Sequence, residues 1–343
     1  MSGSAKRYAD IALRLPSTSE RWSGAAFRAE LRGWVASVVG EPIALEPVKI
    51  RPWATVWRAE TADGVFYAKQ NCSTQSYEGA VLVALNDLAA RHVVPVAALE
   101  PGLGYLLTPD HGTPLGDSAG EDIGAWCRVA SAGAQLQLEV ARYADHLVDA
   151  GLTVLAPADC AAYVEEQLDA FATLPATDPR AMPAEDAAAV RAHLPVVARW
   201  ADEVAALHLP LTLCHNDLHG HNVFDVNGEL RFFDFADALV AEPLAALLIP
   251  LNVLAHQLRA GADDPRLRRV ADAGLEVWSE HASMADLRAA LPAALQLGRL
   301  ARVESWIRCT APMNDTELAE WGSAAAYWLG SVLQAPPVGY GGA

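Results

Sequence analysis

The side chains best suited to chemistry lie in residues 214–237. The run His215-Asn216-Asp217-Leu218-His219-Gly220-His221-Asn222 sets an aspartate and an asparagine on one short loop. A second aspartate, Asp234, follows inside the aromatic run Phe232-Phe233-Asp234-Phe235. Phosphoryl transfer from a nucleotide needs such a set. One carboxylate orients and deprotonates an alcohol, while an amide and a second carboxylate hold Mg²⁺ on the phosphates. Between the two groups, Asp225-Val226-Asn227-Gly228 carries a hairpin turn signal, which returns the chain and brings Asp234 beside Asp217 and Asn222.

The run resembles the catalytic and metal loops of the aminoglycoside phosphotransferase/choline kinase group, which shares the protein-kinase-like fold. The usual form in that group is H-G-D-L-H-x-x-N, followed by an aromatic-flanked D-x-x-D. This chain has His-Asn-Asp-Leu-His-Gly-His-Asn and Asp-Phe-Ala-Asp. The resemblance implies Asp217 as catalytic base, Asn222 and Asp234 as Mg²⁺ ligands, and ATP or GTP as phosphoryl donor. In the competing structural reading, Asp217 caps a turn and Asn222 bonds backbone. That reading does not account for three residue types at these spacings around a hairpin. His215 and His219 are expected to hold the loop, and His221 to face solvent. A metal site made of the three is disfavoured because the loop splays them apart.

The elements that must position this loop fall into two groups. Residues 27–39 have apolar residues at helical spacing, ended by Gly40 and Pro42. Residues 43–50, 54–60 and 64–70 read as strands, the last two joined by a turn containing Asp63-Gly64. A helix over 76–90 and two strands over 94–99 and 104–108 complete an antiparallel sheet with one main helix. A turn-rich segment follows, and beyond it the pattern is helical over 126–150, 160–171, 184–208, 243–260, 267–281, 284–309 and 315–334. Pro292 is expected to start or kink a helix within the sixth of these. The expectation is a two-lobed α+β, protein-kinase-like fold. It divides into a helical extension over 1–40 that opens as a short helix and loop, a nucleotide-binding lobe over 41–108 and a hinge over 109–118. A catalytic and acceptor-binding lobe over 119–335 and a frayed tail over 336–343 complete it.

On the nucleotide side, Lys69 closes the aromatic strand Val65-Phe66-Tyr67-Ala68 and matches the strand lysine that grips the α- and β-phosphates. Glu78, at the start of the next helix, is the acidic residue placed to pair with it. The hairpin that should cover the phosphates lacks the kinase glycines and reads Arg51-Pro52-Trp53-Ala54-Thr55-Val56-Trp57. Thr55 either offers its hydroxyl and N–H to the triphosphate or is an ordinary β-branched strand residue. Pro109 has no N–H, so hinge contacts to the base are expected from Leu107, Thr108 or Asp110.

The 343 residues are 52% apolar and 20% charged, enough for a sizeable core and inconsistent with disorder. A net charge of −17 argues against nucleic acid as partner. The five cysteines are scattered with no C-x-x-C, so neither a zinc site nor a disulfide framework is indicated. There is no apolar signal core near the start and no uninterrupted apolar run long enough to span a membrane, so a cytoplasmic, soluble protein is expected.

These observations point to a small-molecule kinase whose partners are a nucleoside triphosphate and a hydroxyl-bearing acceptor, an antibiotic or sugar-like natural product. The alternatives are a primary-metabolism kinase for a sugar, amino sugar or choline-like alcohol, and a nucleotide-binding pseudokinase. The retained Lys69, Asp217, Asn222 and Asp234 argue against the last. No A-P-E segment signature is present, which argues against a protein substrate. The sequence leaves the acceptor and the oligomeric state open. Walls for the acceptor are expected from 126–150, 251–256 and 299–308. The last carries Arg299, Arg302 and Arg308, which either form a solvated face or turn into the cleft toward an anionic group.

Overall fold

The computed structural model describes residues 18–340, so the expectations for 1–17 and 341–343 lie outside it. Two helices, α1 (Thr18–Ser23) and α2 (Ala25–Val39), precede the sheet. Phe27, Leu31 and Val35 recur every fourth residue of α2 and are its buried side chains. Phe27 meets the rings of Trp57 and Tyr105, each at 6.1 Å. Strands β1 (Ala44–Ile50), β2 (Ala54–Thr61) and β3 (Gly64–Asn71) come next. They are followed by α3 (Glu78–Ala89), β4 (Ala98–Glu100) and β5 (Tyr105–Pro109). The sheet order is β1-β2-β3-β5-β4, antiparallel throughout. This α+β lobe is the one the sequence leads us to expect.

The second part is mostly helical. Its first half contains α4 (Ile123–Val140), α5 (Ala144–Asp149), β6 (Val154–Leu155), α6 (Cys160–Ala172), α7 (Ala184–Ala192) and α8 (Leu194–Ala205). The catalytic stretch contributes β7 (Thr212–Cys214), β8 (Val223–Val226), β9 (Glu229–Phe232) and β10 (Leu239–Ala241). The chain then forms α9 (Leu248–Leu258), α10 (Pro265–Leu275), α11 (Met284–Thr310), α12 (Asp315–Trp321) and α13 (Ala324–Gly330).

Several expected helices divide. The one over 126–150 breaks into α4 and α5 at the 3₁₀ turn Ala141–Tyr143. The one over 184–208 splits at His193, where Pro195 opens α8 at a position whose N–H has no helical partner anyway. The stretch 243–260 begins as the 3₁₀ helix Pro243–Leu247, capped by the Glu242 carboxylate, before α9. The α10 helix ends at Leu275 in a 3₁₀ turn, and 315–334 is two helices rather than one. In each case apolar periodicity continues across a local change of direction. The opposite happens at Pro292: α11 runs unbroken through it. Apart from Pro292 itself, every residue from Ala290 to Val303 is buried, so packing all round the helix offsets the lost backbone bond.

Three short strands go beyond what the sequence suggests. They form a sheet of order β6-β10-β7, with β10 parallel to β6 and antiparallel to β7. Each is too short to show alternation. This sheet matters because β7 feeds directly into His215 and β10 follows Asp237. The tail is not frayed over its described part: Val338 is buried, Gly339 N–H donates to the Ala262 carbonyl at 3.0 Å, and the Tyr340 hydroxyl reaches Asp272 at 2.7 Å.

Candidate active site

The loop after β7 is shaped by its own side chains. Asn216 takes the left-handed conformation, φ 63°, which Asn tolerates better than most residues and which explains its place where the resembled group carries glycine. The buried His215 ring fixes the next link. Its Nε2 lies 2.9 Å from the Phe233 carbonyl, and its Nδ1 lies 3.4 Å from the Asp217 N–H. The carbonyl can only accept, so Nε2 carries the hydrogen and Nδ1 accepts. Burial lowers the His215 pKa and keeps the ring neutral. Gly220 allows close approach to Gly116: a Cβ there would sit 2.7 Å from the Gly116 carbonyl oxygen. The hairpin β8–β9 pairs Val226 with Glu229 around Asn227 and Gly228, φ 56° and 91°, as a two-residue turn of positive φ requires. It delivers Asp234, itself left-handed at φ 64°, to the same place.

Asp217 is held on both oxygens. Arg302 Nη1 donates to Oδ1 at 3.2 Å, while His219 Nε2 and Asn222 Nδ2 each lie 3.4 Å from Oδ2. Burial alone would raise this carboxyl's pKa. Arg302 and His219 outweigh burial and hold it well below the usual carboxylate range. Asp217 is therefore an ionised acceptor at neutral pH. Asn222 is buried, and its amide also donates to the Asp217 carbonyl at 2.9 Å.

Across the cleft, Lys69 Nζ sits 2.6 Å from Glu78 Oε2 and 2.6 Å from Asp234 Oδ1. Burial works against the Lys69 charge, but Asp234 and Glu78 raise its pKa further than burial lowers it. The Asp234 carboxyl, which burial would raise, is kept below its ordinary value by Lys69 and Lys49. Glu78 also accepts the Phe235 N–H at 3.1 Å through Oε1 and an amide hydrogen from Asn71, so it ties α3 to the segment after Asp234. Gln75, in the 3₁₀ turn before α3, reaches the same segment, donating to the Ala236 carbonyl at 3.1 Å and to Asp237 at 2.9 Å. The cleft behind these charges encloses about 280 Å³ and is mainly apolar, with Val56, Leu82, Leu106, Phe224 and Phe233 among its walls. Phe224 and Phe233 stack at 4.7 Å.

The remaining sequence candidates fare differently. Thr55 is buried with its hydroxyl engaged, donating to the Lys49 carbonyl at 3.2 Å and accepting from the Trp57 indole at 2.9 Å. It is a strand residue whose hydroxyl is committed within the sheet. Leu107 is buried in mid-sheet, its carbonyl accepting from Ala97 at 2.8 Å. Asp110 N–H is spent on the Val65 carbonyl at 2.9 Å. The Asp110 N–H is therefore not free to donate to a base. Thr108 does line the cleft. So does His111, which the sequence reading missed. Its Nε2 is buried without a hydrogen-bond partner, and burial with nearby Arg231 lowers its pKa.

Arg299, Arg302 and Arg308 of α11 are all buried, so for these three the solvated-face reading is wrong. Arg299 donates to the Ala335 carbonyl at 2.9 Å. Arg308 bonds Thr153 at 2.7 Å and also the Tyr77 hydroxyl, which in turn donates to the Ala236 carbonyl. Only Arg302 reaches the catalytic loop. One turn further along α11, Trp306 stacks on Trp321 at 5.8 Å, and Trp53 of the β1–β2 turn sits edge-on to both.

Among the described residues no group of three or more His, Cys, Asp or Glu is arranged to hold a metal. Asn222 and Asp234 supply one amide and one carboxylate. Mg²⁺ suits such a sparse set of hard oxygen donors, because it retains waters and takes its remaining ligands from phosphates. The residues present fit that ion.

No protein-family model and no curated protein sequence matches the chain. Solved structures do match. An ethanolamine kinase of Plasmodium vivax is 11% identical, with a TM-score of 0.63 over 97% of this chain and 94% of the other. A macrolide 2′-phosphotransferase from Brachybacterium faecium is 14% identical, with a TM-score of 0.55 over 90% and 98%. An amicoumacin kinase solved with AMP-PNP, Ca²⁺ and its substrate is 15% identical, with a TM-score of 0.56 over 94% and 97%. The chain therefore has the kinase-like fold found in antibiotic phosphotransferases and choline/ethanolamine kinases.

Proposed function

We propose that this protein is a small-molecule kinase that moves the terminal phosphate of ATP to a hydroxyl of an antibiotic or sugar-like natural product. One observation carries the reading. An ionised aspartate, Asp217, held on both oxygens, lies close enough to Asp234 for its charge to act on that carboxyl, and Asp234 together with Glu78 clamps Lys69. The apolar part of the cleft suits a nucleobase, with Lys69 at the phosphates. Asn222 and Asp234 would hold Mg²⁺, which neutralises charge on the phosphates when bound. Asp217 accepts the proton of the acceptor hydroxyl as its oxygen bonds to the terminal phosphorus. The bond from that phosphorus to the bridging oxygen breaks, and ADP leaves. Most of the rate gain comes from positioning and charge, since the two partners are held in line.

Fold relatives named for ethanolamine, macrolides and amicoumacin act on quite different molecules, so the fold is neutral between them. The test is thermal unfolding with Mg²⁺, a non-hydrolysable ATP analogue and a panel of macrolides, aminoglycosides, sugars, nucleosides and choline. A natural-product hydroxyl compound should raise Tm further than nucleotide alone. A shift seen only with choline would overturn the acceptor assignment.

A further inference from the structure

Arg302 lies outside every loop that carries the chemistry, yet a single nitrogen of it touches three parts of the site. Nη1 is 2.8 Å from the Asn216 carbonyl, 3.2 Å from Asp217 Oδ1 and 2.8 Å from Asp237 Oδ2. The guanidinium is buried and stands 5.6 Å over the Trp328 ring, so its own position is fixed by α13. Its partners are fixed as well. Asn216 donates to Ser305 at 2.9 Å, one turn along α11, and Asp237 accepts from Gln75 at 2.9 Å. If Arg302 served only to neutralise a buried carboxylate, Asp237 alone would satisfy it. The bonds to the left-handed Asn216 and to Asp217 instead fasten the loop at the residue before the base and at the base itself.

We propose that Arg302 is a positioning residue for the transfer step, pinning Asp217 Oδ1 so that the carboxylate faces the acceptor hydroxyl. The inference rests on the kinase reading above. The work falls to one nitrogen: Nε has no partner, and all three contacts are made by Nη1. A lysine ammonium placed there can make the same contacts as a point charge, whereas a bidentate arginine site would not tolerate the exchange.

The test compares wild type, Arg302→Lys, Arg302→Met and the double variant Arg302→Met/Asp237→Asn by steady-state kinetics and crystallography. The double variant removes the buried cation together with one of its carboxylates, so it guards against simple misfolding. Arg302→Met and the double variant should lose on the order of 10²-fold in kcat, with KM for ATP changed by less than about threefold, as expected when the reacting group is misplaced rather than the nucleotide site damaged. Arg302→Lys should stay within about tenfold of wild type. In the double variant the Asp217 carboxylate should leave its wild-type rotamer. Normal kcat in a folded double variant, or an Asp217 side chain unmoved without Arg302, overturns the inference. The crystallographic arm stands even if wild type transfers phosphate to no acceptor, an outcome that would count against the kinase reading instead.

Discussion

The two sides of the cleft are built by different means. On the proposed nucleotide side, Lys69, Glu78 and Asp234 come from a strand, the helix that follows it and a hairpin exit, and one cation pairs with two carboxylates within one cluster. On the acceptor side, Asp217 sits on a short loop but takes its orientation from Arg302, 85 residues later in the chain, and through it from Trp328 on α13. The first side is assembled from neighbouring elements. The second depends on how α11, a buried helix, is set against the catalytic loop. It follows that binding of nucleotide should be robust to changes in the helical lobe, whereas turnover should not.

The sharpest break in that comparison is Asp217→Asn. The amide cannot take the alcohol proton, so kcat should fall on the order of 10²–10⁴-fold while nucleotide affinity, measured by calorimetry, holds. Loss of nucleotide binding in this variant would mean the two sides are not separable. Asp234→Ala strikes the other side. It removes a proposed metal ligand and one partner of Lys69, so kcat/KM should drop on the order of 10²–10³-fold and the response of rate to Mg²⁺ should flatten. An unchanged Mg²⁺ titration would remove Asp234 from the metal site.

His111 offers a finer probe of the nucleotide side. Its unpartnered Nε2 in the cleft wall is suited to a hydrogen bond with the base. His111→Ala should raise KM for ATP by about 2- to 10-fold, the worth of one such bond, and leave kcat near wild type. A change in kcat with constant KM would place His111 elsewhere in the mechanism.

The smallest effect concerns stability under the helical lobe. Glu242 is buried and accepts the N–H groups of Leu244 and Ala245 at 3.0 Å each. Burial pushes its carboxyl up to about 7 from 4.5, despite those two bonds. A raised acid pKa stabilises the fold below the unfolded value, and that contribution is lost as pH rises through the folded one. Glu242→Gln removes this dependence. Its stability relative to wild type should therefore rise by about 1–3 kcal/mol between pH 5 and 8 in urea unfolding. A pH-independent difference would mean that Glu242 titrates normally.

The same contrast separates what the sequence reveals from what it hides. Asp217, Asn222 and Asp234 are legible because a loop, a two-residue turn and a strand exit are all set within a few residues. Lys69 and Glu78 are legible because a strand and the helix after it carry them. Thr55 misleads because strand register, not residue type, decides which face a hydroxyl takes. Asp110 misleads for a related reason: its N–H is claimed by the Val65 carbonyl on a neighbouring strand. The basic cluster at Arg299, Arg302 and Arg308 is visible as a composition anomaly. That only Arg302 reaches the base follows from long-range packing that no local pattern encodes. The helix breaks at His193 and at Ala141–Tyr143, and the missing break at Pro292, have the same origin.

The most direct test of the central claim is ³¹P NMR of the purified protein with Mg·ATP and whichever hydroxyl compound most raises its Tm. Phosphoryl transfer predicts that the terminal phosphate signal of ATP declines as a phosphomonoester signal of the acceptor grows in equal amount. It also predicts that Asp217→Asn forms that ester at least about a hundredfold more slowly. Stable nucleotide and acceptor binding with no ester formed, or ester formed equally fast by Asp217→Asn, would contradict the account.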